Sequence, residues 1–200
     1  MDAMTYTTLS IKDLAEKAKL DPTQLATRSA GSRFLPILKA ALSKVDRDQV
    51  VALDFADVGM MDPSFADEVF ATLAADRSRR KFLGACLVLT HLNETLTDGL
   101  NIVLSSRPRR ERNLGNCVFP MIDSGDKVQL VGPTEKHVQE TFTLLQNGQA
   151  LTAREVAKKF KLNITAASTR LKILYDLGLA VRSVRRDGPE RQYTYRLPVQ

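Results

Sequence analysis

Two hundred residues (22.2 kDa), 44% hydrophobic and 26% charged, make ordinary globular material with room for one medium domain or two small ones. No apolar run approaches the ~20 residues that cross a bilayer, MDAMTYTTLS does not read as a secretory leader, and Cys86 and Cys117 are too few for a disulfide scaffold, so a cytoplasmic protein with no membrane partner is expected. The net charge of +6 is unevenly placed: residues 149–200 hold 11 basic and four acidic side chains, a net of +7, while the first 148 residues stand at −1. A near-neutral body with a compact basic appendix fits a polyanion-binding module joined to a sensor or carrier.

In chain order, the first 132 residues read as an α/β module. SRFLPILKAALSKV places Phe34, Leu38, Ala41, Leu42 and Val45 on one helical stripe, with Pro36 near its start. VVALDF (50–55) and GACLVLT (84–90) are short apolar runs of the kind buried in parallel sheets, and residues 117–122 and 127–131 are weaker strand candidates. PSFADEVFATLAADRSRRK carries Phe65, Val69 and Leu73 on a second helical stripe, and LNETLTDGLNIVLSSR carries Leu92, Leu96, Leu100 and Leu104 on a third. Strands alternating with helices predict a sheet with helices packed on it. The basic runs 77–81 and 107–112 read as a helix end and a Pro-containing surface loop.

The distinctive text here is VVALDFADVGMMDPSFADEVF, where a strand ends in Asp54-Phe55 and a helix opens with Ser-Phe-Ala-Asp-Glu after Asp62-Pro63. With the flanking Arg28…Gly31…Arg33 segment and the LSSR ending at Arg107, it resembles the STAS (sulphate transporter and anti-sigma-factor antagonist) domains. More narrowly, it resembles the STAS-like family of unassigned function, over about residues 5–131. In STAS antagonists, the resemblance implies, a serine or threonine directly after the loop aspartate is phosphorylated by an ATP-binding kinase partner. Pro63 stands there, which removes that hydroxyl, and Ser64 is the nearest substitute at a helix N-terminus. Asp62 is equally a good N-cap and Pro63 a good first helical residue, so Asp62 and Ser64 are regulatory candidates with a purely structural alternative.

Residues 133–200 follow a different order. EKHVQETFTLLQN places Val138, Phe142 and Leu145 on one helical face, with Gly148 as a stop. Thr152 and Glu155 make a capping-box pattern for TAREVAKKF, whose stripe is Val156 and Phe160. After Lys161-Leu162-Asn163 comes a helix with Ile164, Ala167, Leu171, Leu174 and Gly178 on one buried face. Residues 179–184 and 192–197 are β-rich runs flanking an Asp-Gly turn. This sequence, LTAREVAKKFKLNITAASTRLKILYDLGLAVR and the hairpin after it, resembles the winged helix-turn-helix domains of bacterial transcription regulators over about residues 135–198. The fold class expected is thus an α/β STAS-like sheet domain followed by a small α+β winged helix-turn-helix domain.

With Leu171 buried, Thr165, Thr169 and Lys172 point outward beside Ala166, small enough to approach base edges and with a methyl for thymine. Arg170 belongs to the same candidate surface, and Arg182, Arg185, Arg186 and Arg191 lie on or beside the hairpin, within reach of phosphates or a minor groove. No GxGxxG, P-loop or Gly-x-Ser-x-Gly is present. His91 and His137 fit no zinc spacing, and Asp54, Asp57, Asp62, Asp67 and Glu68 have no reason to converge. The expectation is a non-enzymatic transcription regulator without cofactor or metal, a homodimer on double-stranded DNA whose STAS-like module senses a partner, a ligand or a phosphorylation state. The alternative is a component of a partner-switching pathway, with an ATP-binding kinase-like partner, whose winged helix docks protein. A third possibility is a small-molecule sensor without covalent switching.

Overall fold

The apolar runs form the middle of a five-stranded sheet, ordered β1-β3-β5-β6-β7: β1 (Thr7–Ser10), β3 (Val50–Asp54), β5 (Cys86–Thr90), β6 (Phe119–Ile122) and β7 (Val128–Val131). The first four are parallel and β7 runs antiparallel to β6. The computed structural model describes residues 7–46, 49–78, 85–110, 116–122, 128–187 and 190–198, with backbone alone at 107–110, 186–187 and 190–191. Around the sheet run α1 (Ile11–Lys17), α2 (Arg28–Leu42), α3 (Pro63–Ala66), a π-helical turn (Asp67–Ala71), α4 (Thr72–Ser78) and α5 (Glu94–Arg110). A short parallel pair, β2 (Gln24–Leu25) with β4 (Met60–Met61), ties the loops before α2 and α3 together.

Side chains alternate across a strand, so the sheet has two apolar faces. Val51, Leu53, Leu87, Leu89, Phe119 and Met121 share one core with α1–α5 and the π-helical turn. Val50, Cys86 and Val88 point the other way. A largely parallel sheet is stable only with both faces covered, and here the C-terminal residues supply the second cover. Val181 packs with Ile122 on the Val50–Cys86–Val88 cluster, while Val118 and Val128 enter the core of the C-terminal module. The α/β sheet and the C-terminal residues therefore share apolar surface.

The C-terminal module is α6 (Lys136–Leu145), β8 (Leu151–Thr152), α7 (Ala153–Phe160), α8 (Ile164–Asp176), β9 (Val181–Asp187) and β10 (Glu190–Arg196). Its antiparallel sheet is ordered β8-β10-β9, with β9 and β10 paired from Val181↔Arg196 to Asp187↔Glu190. Val138, Phe142, Leu145, Val156, Leu171 and Leu174 fill its core.

Three local readings need correcting. Helix α2 opens at Arg28, so Pro36 lies two turns inside it and not near its start. Helix α5 runs through Pro108 to Arg110, so the second basic run begins on a helix rather than in a loop. Arg77 is no solvated helix-end cation: it is buried, with Nη2 donating to the Ala85 carbonyl at 2.7 Å. Residues 79–84 and 111–115 lie outside the described residues.

Candidate nucleic-acid interface

Two caps and a sharp turn set α8 against α7. Thr152 and Glu155 close the expected capping box on α7, with Thr152 N donating to Glu155 Oε2 at 2.6 Å. Lys161 ends α7 in the left-handed region (φ 54°), which reverses the chain within a few residues. Asn163 then caps α8, its Oδ1 accepting from Ala166 N at 2.7 Å. Ala167, Leu171 and Leu174 turn inward from that start. Ile164 does not share their burial: as the first residue of α8 it lies one turn ahead of the stripe and is 55% exposed.

Thr165, Thr169 and Lys172 form one exposed line along α8, with Ala166 half-buried beside them. The Thr169 hydroxyl donates to the Thr165 carbonyl at 3.0 Å. Lys172 Nζ sits 2.6 Å from Asp176 Oδ2, one turn further on. Arg170 is off this line. It reaches back to Glu140 on α6 (3.3 Å) and lies over the Phe160 ring, 5.3 Å from its centroid. Its place on the outward surface is thereby corrected: at this position the helix turns its side chain toward the bundle.

On the hairpin, Arg185 is exposed. Arg182 is half-buried, its guanidinium 4.4 Å from the Tyr175 centroid and 4.3 Å from that of Tyr193. Stacked this way, Arg182 ties the hairpin to the end of α8. The backbones at Arg186 and Arg191 pair directly across the hairpin, and their side chains lie outside the described residues. Val184 and Tyr193, 54% and 51% exposed, are cross-strand partners on the same hairpin.

A junction that the sequence did not announce lies beneath α8. Gly178 has φ +66°, and a Cβ there would run into the Arg77 guanidinium. The Cys86 thiol donates to the Gly178 carbonyl. Burial pushes that thiol up from its ordinary 9.0 to about 12, only partly offset by the Arg77 charge. Ile173 lines a neighbouring crevice with Arg77 and His137. The helix ending at Gly178 was legible; its grip by two side chains about a hundred residues earlier was not.

The motif residues of the α/β module serve cohesion. Asp62 Oδ1 accepts from Ser64 N (2.7 Å) and Phe65 N (2.9 Å), while Oδ2 accepts from Thr27 N (3.0 Å). Thr27, at φ 73°, in turn caps α2 by accepting from Ala30 N at 3.2 Å. One carboxylate thus anchors two helix starts. Burial works against its charge, but these donors and the Ser64 hydroxyl outweigh that and hold the carboxyl below its usual range. Ser64 Oγ is half-buried and donates to Asp62 Oδ1 at 2.7 Å. Arg28 joins Asp67 (2.8 Å) and Glu68 (3.0 Å) at the π-helical turn, and a Cβ on Gly31 would lie 2.8 Å from Glu68 Cβ.

Apart from Asp67 and Glu68, which share Arg28, the acids hold separate partners. Asp54 holds His91 Nδ1 at 2.7 Å, Asp57 holds Lys12 at 3.2 Å, and Asp62, Asp67 and Glu68 are engaged as above. Cys86 and Cys117 belong to cores on opposite faces of the sheet. Among the described residues no cluster of three His, Cys, Asp or Glu could hold a metal ion, and no helix is long and apolar enough to cross a membrane.

Residues 30–97, from α2 to the first turn of α5, match the family model of the STAS-like domain of unknown function. The α/β module is STAS-like over that segment, and the Asp-Phe strand end and Ser-Phe-Ala-Asp-Glu helix that suggested it both fall within the match. No curated protein and no solved structure matches the chain.

Proposed function

We propose that this chain is a cytoplasmic transcription regulator, not an enzyme, whose residues 133–200 form a winged helix-turn-helix domain that binds double-stranded DNA as a homodimer. One observation carries the reading: a capped helix-turn-helix presents Thr165, Thr169 and Lys172 on one exposed line beside a hairpin bearing Arg185, in the segment that holds the chain's whole charge excess. The order helix, strand, helix, helix, hairpin, with the sheet β8-β10-β9, matches what a recognition helix with a wing requires. Dimerisation multiplies the few contacts one such module makes. Lys158, Lys159 and Lys161 add exposed positive charge at the end of α7.

The STAS-like module is the sensing part in this reading. Its sheet packs directly on the base of the C-terminal module, so a change in the sheet is felt at Gly178 without a linker between them. Phosphorylation of Ser64 by an ATP-binding kinase-like partner would set a dianion against Asp62 and loosen two helix starts at once.

The test is titration of the full chain into a labelled random duplex at several salt concentrations. Expected is binding that weakens steeply as salt rises, with a linear slope of log affinity against log salt. Absence of binding at low salt would overturn the reading in favour of a protein-docking module.

A further inference from the structure

The outward end of α8 is unusually rich in methyl groups. Ile164, a large aliphatic side chain, stands 55% exposed at the tip of the helix, over a groove that it lines with Arg154, Ser168 and Tyr193. Thr165 and Thr169 follow on the exposed line, and the Thr169 hydroxyl is engaged by its own helix.

The same helix presents no forked donor outward among its described residues. Its one arginine, Arg170, is folded back onto Glu140 and Phe160. Its one lysine, Lys172, is held by Asp176. Reading guanine in the major groove takes an arginine or lysine on O6 and N7, and reading adenine takes an asparagine or glutamine on N6 and N7. Apolar contact, by contrast, is the way a protein recognises the thymine methyl.

We infer that α8 selects thymine-bearing major-groove steps through the methyl groups of Ile164, Thr165 and Thr169, so that the operator half-site facing α8 is rich in thymine and poor in required guanines. The inference rests on the DNA-binding reading above and adds the class of sequence recognised. Ile164 supplies the largest contact, because each buried methyl-sized group contributes on the transfer scale and isoleucine offers the most apolar surface of the three. Bound in this way, α8 discriminates by shape and apolar fit, while the hairpin cations supply charge that any sequence satisfies.

The experiment starts by selecting duplexes from a randomised pool with the full-length chain, then replaces thymines in the winner by uracil, which lacks only the methyl group. The expected result is thymine enrichment in the selected half-site and a loss of about four-fold in affinity per contacted methyl on uracil substitution. I164A and T169S, the second removing a methyl and keeping the hydroxyl, should each narrow the preference for the thymine over the uracil duplex, I164A the more. Both positions are exposed, and an unchanged circular dichroism spectrum shows the variants folded. Equal affinity of the native chain for thymine and uracil duplexes, or selection of invariant guanines opposite α8, overturns the inference while leaving DNA binding intact. Failure to retain any duplex overturns the DNA-binding reading and this inference with it.

Discussion

The two modules place their described cations differently. In the α/β module Arg28 bridges Asp67 and Glu68, Lys39 meets Asp76 at 2.8 Å, Lys12 meets Asp57, and Arg77 is buried against Ala85 and Gly178. In the C-terminal module Arg170 and Lys172 are paired as well, but Lys158, Lys159, Lys161 and Arg185 stand on the exposed surface. Charge spent on internal partners holds a fold together, whereas charge spread over one surface raises the local potential that a polyanion meets. The formal charges of −1 and +7 divide the chain along the same line.

The sharpest way to break that contrast is at Gly178, where the two modules meet. G178A puts a Cβ against a buried guanidinium that already donates to Ala85, at a backbone angle alanine tolerates poorly. The expected loss is about 2–4 kcal/mol of unfolding free energy, read from the urea midpoint, with one cooperative transition. An unchanged midpoint would mean that Arg77 relocates at no cost and that the junction does not hold the modules together.

Why that junction escaped the sequence is a matter of range. Thr152 with Glu155, Asp62 with Pro63, and the glycine ending α8 are local patterns whose partners lie within four residues, and each stands where its spacing put it. Arg77, Cys86 and Gly178 come together only because one sheet face needed a cover, and no periodicity encodes which segment supplies it. Ile164 and Arg170 failed for a related reason. A helical stripe gives a direction around the axis, but the end of the neighbouring core and the position of Glu140 decide whether a side chain on it is covered. The STAS-like segment was legible because its Asp-Phe and Ser-Phe-Ala-Asp-Glu text carries two caps and an ion-pair cluster at once.

A smaller effect is expected at Asp62. D62A removes the acceptor for Thr27, Ser64 and Phe65 N–H groups and should cost about 1–2 kcal/mol. The carboxyl is held below its usual range in the folded chain, so its contribution is present above the unfolded value of about 3.9 and disappears as pH falls through the folded one. Stability of the native chain should therefore drop more steeply on acidification than that of D62N. Parallel acid limbs for the two would show that the carboxylate's charge is not what anchors the helix starts.

At high pH the sign reverses. The Cys86 thiol is raised to about 12 in the folded chain from an ordinary 9.0, so folding favours its protonated form. That contribution is whole below pH 9.0 and is lost progressively as pH climbs toward about 12. C86A lowers stability at neutral pH by leaving a small void but should flatten the alkaline slope relative to the native chain. If both lose stability equally between those limits, the thiol is not sealed under Gly178.

The least change in stability, and the most direct check on the exposed side of the comparison, belongs to the hairpin. Arg185 is exposed and Arg186 precedes the turn, so R185A combined with R186A should move the urea midpoint by less than about 0.5 kcal/mol equivalent. On DNA the same pair should weaken binding to every sequence and lower the salt slope by up to about 2, close to one for each phosphate no longer neutralised. R170A separates the two uses of charge within one module. Its side chain is committed to Glu140 and Phe160, so it should disturb stability and leave the salt slope where it was. A slope that falls with R170A and stays level with the hairpin pair would invert the assignment, placing the phosphate-facing surface on the α6 side of the module.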